Sequence, residues 1–365
     1  MRTQRQLLAA CLKTTSTLAL AAAVGMPLTS RAAVSLYGLL DLSAEHLSGG
    51  GLSLSRVSSS NLSTSRVGLR ADEDLGSGLK VRVTLETAVS ADTGANSGGT
   101  ARFFDRHAHV ALIGNWGELR LGRTDTALGL AADTAGTQAF DDLTSVGARG
   151  ATRYRRTDNS ITYLLPTVIT GLSAQVQYSL ASSGFGGSGL ADNRVVGDEA
   201  VGGKAWGFNL IYAAGPFQAA LGYLKARDEN IAVSGEQGAN ATMVLASYDF
   251  GPVKLTAYAN DETNTSVVVG ADRLRTLGAK LAMPFGQDFV LTAGASRTRG
   301  TTDAHGDDDR VTIFSLKGVY TLSRRTSLYG WLVNVDNDDA ANKGLIAPGA
   351  GQSGRGLAVG VRHLF

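Results

Sequence analysis

From Val34 onward the chain alternates apolar and polar positions in runs of about ten residues, each run closed by turn-forming residues. In Leu79-Lys80-Val81-Arg82-Val83-Thr84-Leu85-Glu86 every odd position is apolar and every even one polar or charged, and Val253 to Asn260 repeats the split. Phe289, Leu291, Ala293 and Ala295 form another such set, as do Tyr329, Trp331, Val333 and Val335. Period 2 places each set on one side of a sheet. The pattern predicts strands over 34–47, 65–74, 79–91, 103–114, 118–124, 153–166, 171–181, 205–214, 217–228, 241–250, 253–264, 272–285, 288–300, 311–322, 326–337 and 354–365, sixteen in all.

The connections alternate too. Short ones, such as Asn115-Trp116-Gly117, Gly215-Pro216, Gly251-Pro252, Gly286-Gln287 and Ser323-Arg324-Arg325, are followed by long ones rich in Gly, Ser, Asn and Asp, as at 48–64, 182–204, 230–240 and 336–353. Strands of about ten residues with short turns on one side and long loops on the other are what a tilted transmembrane β-barrel needs, the short turns being periplasmic. After residue 32 no segment approaches 18 consecutive apolar residues, so a membrane could be crossed only by a closed barrel. A mean hydropathy of +0.01 fits a lipid-facing apolar surface around a polar interior. Aromatics gather near strand ends (Phe103, Phe104, Trp116, Tyr163, Trp206, Tyr212, Tyr248, Phe250, Phe285 and Phe289), where interfacial girdles would put them. The expected fold is all-β, a transmembrane antiparallel β-barrel of about 16 strands, and that many strands leave an aqueous channel.

The first residues stand apart. The amino group of Met1 and the side chains of Arg2, Arg5 and Lys13 are basic, 17–28 is an apolar run, and small residues follow at Ser30, Ala32 and Ala33. This reads as a secretory signal peptide, residues 1–32, cleaved after Ala32 to leave a single barrel domain over 33–365. Cys11, the only cysteine, lies inside it, so disulfides and thiolate metal sites are not expected in the remainder. Residues 33–365 carry 30 Lys and Arg against 32 Asp and Glu, a balance that argues against nucleic acid as a partner.

One stretch breaks the pattern. Over 121–156, roughly 25 residues pass without period 2, which marks a functional loop. It holds Asp125, Asp133, Asp141 and Asp142, with Arg120 and Arg123 at one root and Arg149, Arg153, Arg155 and Arg156 at the other. The expectation is a loop folded into the lumen. Arg66, Arg70, Lys80, Arg82, Arg120 and Arg362 alternate with lipid-compatible residues, and a lipid-facing charge near mid-bilayer would cost about 2–4 kcal/mol, so they should face the lumen. With Arg123, Arg153, Arg155 and Arg156 they make a basic wall opposite Asp133, Asp141 and Asp142, a constriction with weak anion preference. Each arginine has a plainer reading as a salt bridge holding the loop.

No catalytic grouping stands out, no cofactor is implied, and the chain reads as a channel, not an enzyme. His107 and His109 share a face but lack a third metal ligand. The acidic runs 303–309 and 336–339 do not have the spacing of a calcium loop and read as solvated external loops. Gly184 to Gly189 has no strand and helix around it, so it reads as a loop tip, not a phosphate cradle.

Val34-Ser35-Leu36-Tyr37-Gly38, Ser65 to Arg70 running into Glu73-Asp74-Leu75-Gly76, Leu121-Gly122-Arg123, Asp158 to Tyr163, and the ending Val361-Arg362-His363-Leu364-Phe365 together resemble the general porins of the Gram-negative outer membrane, in their beta-proteobacterial branch. The resemblance spans essentially all of 33–365. It implies a homotrimer of sixteen-stranded barrels in the outer membrane, passing ions and small hydrophilic solutes by diffusion. It also implies contact with outer-membrane lipid and lipopolysaccharide, a third external loop folded inward opposite wall arginines, and a second external loop, here 93–101, latching a neighbouring subunit. The family's Pro-Glu-Phe type segment is absent from this loop, and Asp141-Asp142 is the nearest acidic pair. A substrate-specific channel is the nearest alternative, and a barrel-borne enzyme is more distant.

Overall fold

The structure, a computed structural model, describes residues 33–96, 103–134, 155–182, 203–228, 237–266, 270–302, 306–338, 341, 345–346 and 351–365. In chain order the strands are β1 (Ala33–Gly49), β2 (Leu52–Ser59), β3 (Arg66–Gly76), β4 (Leu79–Ser90), β5 (Ala95–Asn96), β6 (His107–Gly114) and β7 (Gly117–Asp125). A short helix, α1 (Ala127–Asp133), follows. Then come β8 (Arg156–Leu164), β9 (Leu172–Ser182), β10 (Gly203–Ala214), β11 (Phe217–Asp228), β12 (Gln237–Asp249) and β13 (Lys254–Ser266). The last five are β14 (Gly270–Phe285), β15 (Phe289–Thr302), β16 (Gly306–Thr321), β17 (Thr326–Asn337) and β18 (Gly354–Leu364).

Each strand pairs antiparallel with its neighbours, and β1 pairs with β18 from Leu39↔Leu364 to Gly49↔Gly354, closing the sheet on itself. The sheet has sixteen staves, because β2 and β3 occupy one between them and β5 only adds a two-residue hairpin to β4. Closure leaves no edge, the condition for crossing lipid. Side chains sort by parity. Leu121, Val244, Leu277, Phe314, Leu332 and Val359 point out and are exposed, while Thr84, Glu86, Thr162, Gln177, Asn260 and Thr276 point in and are buried. Aromatic pairs stand beside the short turns: Trp116 with Tyr163, Tyr212 with Phe217, Tyr248 with Phe250, and Phe285 with Phe289.

The structure corrects three expectations. First, 48–64 is not one long loop. The chain turns at Gly50 and Gly51 and returns along β1 as β2, then breaks at 60–65 before β3 resumes the same stave. Ser60 sits at φ 73 there. The buried Asp41 carboxylate accepts the backbone N–H groups of Leu62 (2.7 Å) and Ser63 (2.5 Å), giving the broken backbone a partner. Second, Asp307 to Asp309 belong to β16, whose ladder with β15 reaches Thr302↔Gly306, so the acidic run is not wholly loop. Third, not every apolar set faces lipid. Tyr329, Trp331, Val333 and Val335 point inward and are buried with Val311, Ile313, Leu62, Ala341, Leu345 and Ile346, where loop segments fold over the inner wall.

Candidate channel constriction

The third external loop leaves the wall at a bend. Gly122 takes φ 126, where a Cβ would stand 2.3 Å from the Ala108 carbonyl oxygen, and the ladder slips between Gly122 and Thr124. Strict alternation would turn Arg123 toward lipid. The bulge turns it inward instead, into burial, where its guanidinium donates to Asp158 (2.5 Å) and to the Asp105 carbonyl (2.6 Å).

Thr126 caps the helix that follows, its hydroxyl accepting from the Gly129 N–H at 3.0 Å. Sequence periodicity gave no helix here, since α1 has only seven residues. Its trace is the trio Leu128, Ala131 and Ala132, spaced i, i+3 and i+4. These pack on inward-facing Ala205, Ala220, Leu224, Ala226, Ala241, Met243, Leu245 and Tyr258 of β10 to β13. A Cβ on Gly222 would stand 2.7 Å from Ala131 Cβ, so only glycine lets the helix approach β11 this closely. Asn209 donates its side-chain amide to the Ala127 carbonyl at 2.9 Å. Gln177 does the same to the Asp125 carbonyl at 3.1 Å. The described start of the loop, α1, thus lies inside the barrel against the β10 to β13 side.

Its two roots are tied by charge. The Thr126 N–H bonds to the Arg155 carbonyl (2.9 Å), while the Arg155 guanidinium grips both oxygens of Asp133 and reaches Asp125 at 3.3 Å. Arg156 reaches Asp125 at 3.1 Å. His107 lies 3.4 Å from Asp125, and Glu86 binds Arg106 at 2.5 Å with Arg66 at 3.7 Å, extending the network onto β3, β4 and β6. Burial pushes the Asp133 carboxyl above the ordinary carboxylate range, against the pull of Arg155. Burial also works against the charge on Arg155, but Asp125 and Asp133 outweigh it, and the guanidinium holds its proton above the ordinary arginine range. Among the described residues five arginines (Arg66, Arg106, Arg123, Arg155, Arg156) meet four carboxylates (Glu86, Asp125, Asp133, Asp158) here, one positive charge in surplus.

Of the other arginines expected on the wall, Arg70, Arg82 and Arg120 lie on β3, β4 and β7, and Arg362 lies on β18, where it donates to the Ser63 hydroxyl at 3.1 Å. Arg82 pairs with Asp72 and Arg120 with Glu118, each at 2.6 Å. Arg70 is different. It is exposed, lies 5.4 Å over the Tyr37 ring, and meets no carboxylate among the described residues. The structure therefore separates the arginines by pairing: Arg123, Arg155 and Arg156 are locked to loop-root acids, and Arg70 is exposed. Asp141, Asp142 and Arg153 lie outside the described residues. Arg106 and Glu86 join the network without having been singled out from sequence. The signal for Glu86 was its even position on the alternating 79–86 run. His107 and His109 are wall imidazoles 5.8 Å apart, and among the described residues no group of three side chains could hold a metal.

Comparison with known proteins agrees with this architecture. A Gram-negative porin family profile matches residues 9–340. Outer membrane porin protein 32 of Delftia acidovorans is 30% identical over 95% of this chain and 98% of its own. A major outer membrane protein P.IB of Neisseria meningitidis is 25% identical over 93% and 96%. Among solved structures, an anion-selective porin from Comamonas acidovorans superposes with a TM-score of 0.74 at 28% identity, covering 92% of this chain and all of that one. The chain belongs to the Gram-negative porin family and is a channel-forming barrel of the outer membrane.

Proposed function

We propose that the chain works as a trimer of general diffusion channels with a weak preference for anions, exported under a signal peptide of residues 1–32 that is cleaved after Ala32. The observation that carries the selectivity is Arg70, a lumen-facing guanidinium with no carboxylate against it among the described residues. The one-charge surplus at the loop roots adds to it. A fixed positive charge beside a water-filled constriction favours ions of opposite sign. The Comamonas relative, described as anion-selective, supports the same sign. Arg66, Arg70, Arg82 and Arg120 form the conducting wall in this reading, with Asp141, Asp142 and Arg153 of the inward loop completing the eyelet. Arg123, Asp133, Arg155 and Arg156 hold that loop in place.

The test is the zero-current potential of the inserted protein under a potassium chloride gradient. A chloride-preferring sign with conductance steps in linked triplets is expected. A potassium-preferring sign would mean that the loop acids dominate and would refute the charge argument, and single unlinked steps would refute the trimer. Conductance that saturates with one solute would favour a substrate-specific channel.

A further inference from the structure

The break in the stave of β2 and β3 holds more chain than the ladder needs. Ser59 pairs with Leu42 and Arg66 with Leu39, so two residues would carry an unbroken strand across a gap where six, Ser60 to Ser65, run. The four extra residues are an even number, so the same side of the strand faces inward before and after the break. The insert lies on the inner surface. Asp41, Ser43 and Glu45 point inward from β1 and are buried. The Asp41 carboxylate accepts the Leu62 and Ser63 N–H groups, and the Asn61 amide donates to the Ser43 hydroxyl and to Glu45, each at 2.7 Å. The Ser60 N–H bonds to the Asp41 carbonyl at 2.9 Å. Arg66 donates to the Thr64 carbonyl at 3.0 Å, and Arg362 reaches across from β18 to the Ser63 hydroxyl. Leu62 is buried in the apolar cluster of the β16 to β18 inner wall. Tied along its length, the insert forms a second layer of chain over β1.

Its position relative to α1 gives that layer a role. With β2 and β3 counted as one stave, β11 is the eighth from β1 in either direction, so the two stand across the lumen from each other. α1 rests on β11 at Gly222, and the insert rests on β1 at Asp41. Gly222 stands five residues above Phe217, where β11 begins. Tyr329, whose hydroxyl shares the Asp41 carboxylate with the insert, stands three above Thr326, where β17 begins. Both strands rise from short turns, and at about 3.3 Å per residue and a tilt of about 45° the two levels differ by roughly 5 Å. Helix and insert therefore oppose each other at nearly one height. Asn61, Ser63 and Thr64 are half-buried, which leaves the insert a polar, uncharged surface.

We propose that residues 60–65 are the second jaw of the constriction, and that the gap between this insert and α1 sets the size limit for solutes. A layer of chain takes about 5 Å from the opening on its side. The inward loop alone would narrow the lumen from the β11 side only. This assignment concerns size and does not rest on the anion preference.

The test deletes Asn61 to Thr64 from the full-length protein, which leaves Ser60 opposite Asp41 and Ser65 opposite Leu40 in an unbroken ladder of the same parity. Single-channel conductance is measured in a planar bilayer, and polyethylene glycols of graded size find the largest polymer that enters. Conductance follows the open area, so the deletion should raise it about 1.5-fold and admit a larger polymer than the wild type does. Combined with Gly222→Leu, the deletion should raise conductance beyond either change alone. A wild-type conductance and size limit in a deletion variant that keeps its heat-resistant gel migration would overturn the proposal, and so would a double variant no more conductive than Gly222→Leu. If the deletion prevents folding, Ser63→Cys in a Cys11→Ser background decides. A bulky water-soluble methanethiosulfonate reagent should then lower the conductance of each channel by roughly one-third. Unchanged current in protein whose labelling is confirmed by mass spectrometry would place the insert away from the solute path and refute the second jaw.

Discussion

Leu128 of the inward helix and Gly222 of the barrel wall are in backbone-level contact: a Cβ on the glycine would stand 3.1 Å from the Leu128 Cα. The approach seats α1 against β11, inside the barrel wall. Gly222→Leu removes the space. The expected outcome is an intact barrel with an undocked helix, a loss of about 1.5–3 kcal/mol of docking from re-exposing Leu128 alone. Single-channel conductance should rise above the wild type. Unchanged conductance would show that α1 does not narrow the pore.

The Arg155 and Asp133 pair is the second anchor of the same loop, and both side chains are largely buried. Removing one member of a buried pair strands the other charge, at about 3–5 kcal/mol. Arg155→Ala should therefore loosen the loop, giving noisier current and protease cleavage within 126–155 that the wild type resists. Arg155→Lys keeps the charge but loses the two-pronged grip on Asp133, and should fall between. A loop as resistant as the wild type in the alanine variant would place the anchoring elsewhere.

Much of this architecture is legible in the sequence. The strands follow from period 2 to within a few residues at most boundaries, because lipid outside and water inside impose opposite demands on alternate positions. Inward-facing Arg66, Arg70, Arg82 and Arg120 follow from the same rule. What alternation cannot carry are the places where the chain breaks it. The serine-rich end of 48–64 reads as loop because the partner of its backbone at Leu62 and Ser63, Asp41, lies some 20 residues earlier. Arg123 turns inward only because of the bulge at Gly122. The helix is too short to leave a full period, though apolar residues at inward positions of β11 and β12 (Leu224, Met243, Leu245) marked its landing site. Which arginines are bound and which are open depends on pairing, and parity says nothing about that.

Arg70 and Arg123 test that division directly. A passing ion about 4 Å from an exposed lumen charge feels roughly 1 kcal/mol, equivalent to about fivefold in local preference at low salt. Arg70→Gln should move the zero-current potential toward potassium by a factor of that order or less, with little change in thermal stability. Arg123→Gln removes the ion pair to the buried Asp158 and should lower stability while moving the potential less. The reverse result, selectivity following Arg123 and stability following Arg70, would exchange their roles.

Asp41 is the group whose loss should be felt most by the barrel itself. It is fully buried, its two oxygens take the Leu62 and Ser63 N–H groups and the Tyr329 hydroxyl at 2.5 Å, and Ser65 donates to its carbonyl at 3.1 Å while accepting its N–H at 2.9 Å. It joins β1, the broken stave of β2 and β3, and β17 beside the seam where the barrel closes. Asp41→Ala removes the acceptor of three donors, and a buried donor left unpaired, as the Leu62 N–H would be, costs about 1–3 kcal/mol. Tyr329→Phe removes a donor along with its bond and should cost only about 1 kcal/mol. Heat-dependent migration in detergent gels gives the unfolding temperature of each. The alanine variant should unfold at a much lower temperature than the phenylalanine variant, and the double variant should lose less than the sum, because the two changes share one bond. Strict additivity would mean that the hydroxyl and the carboxylate act independently and that the seam is held by the sheet ladder alone.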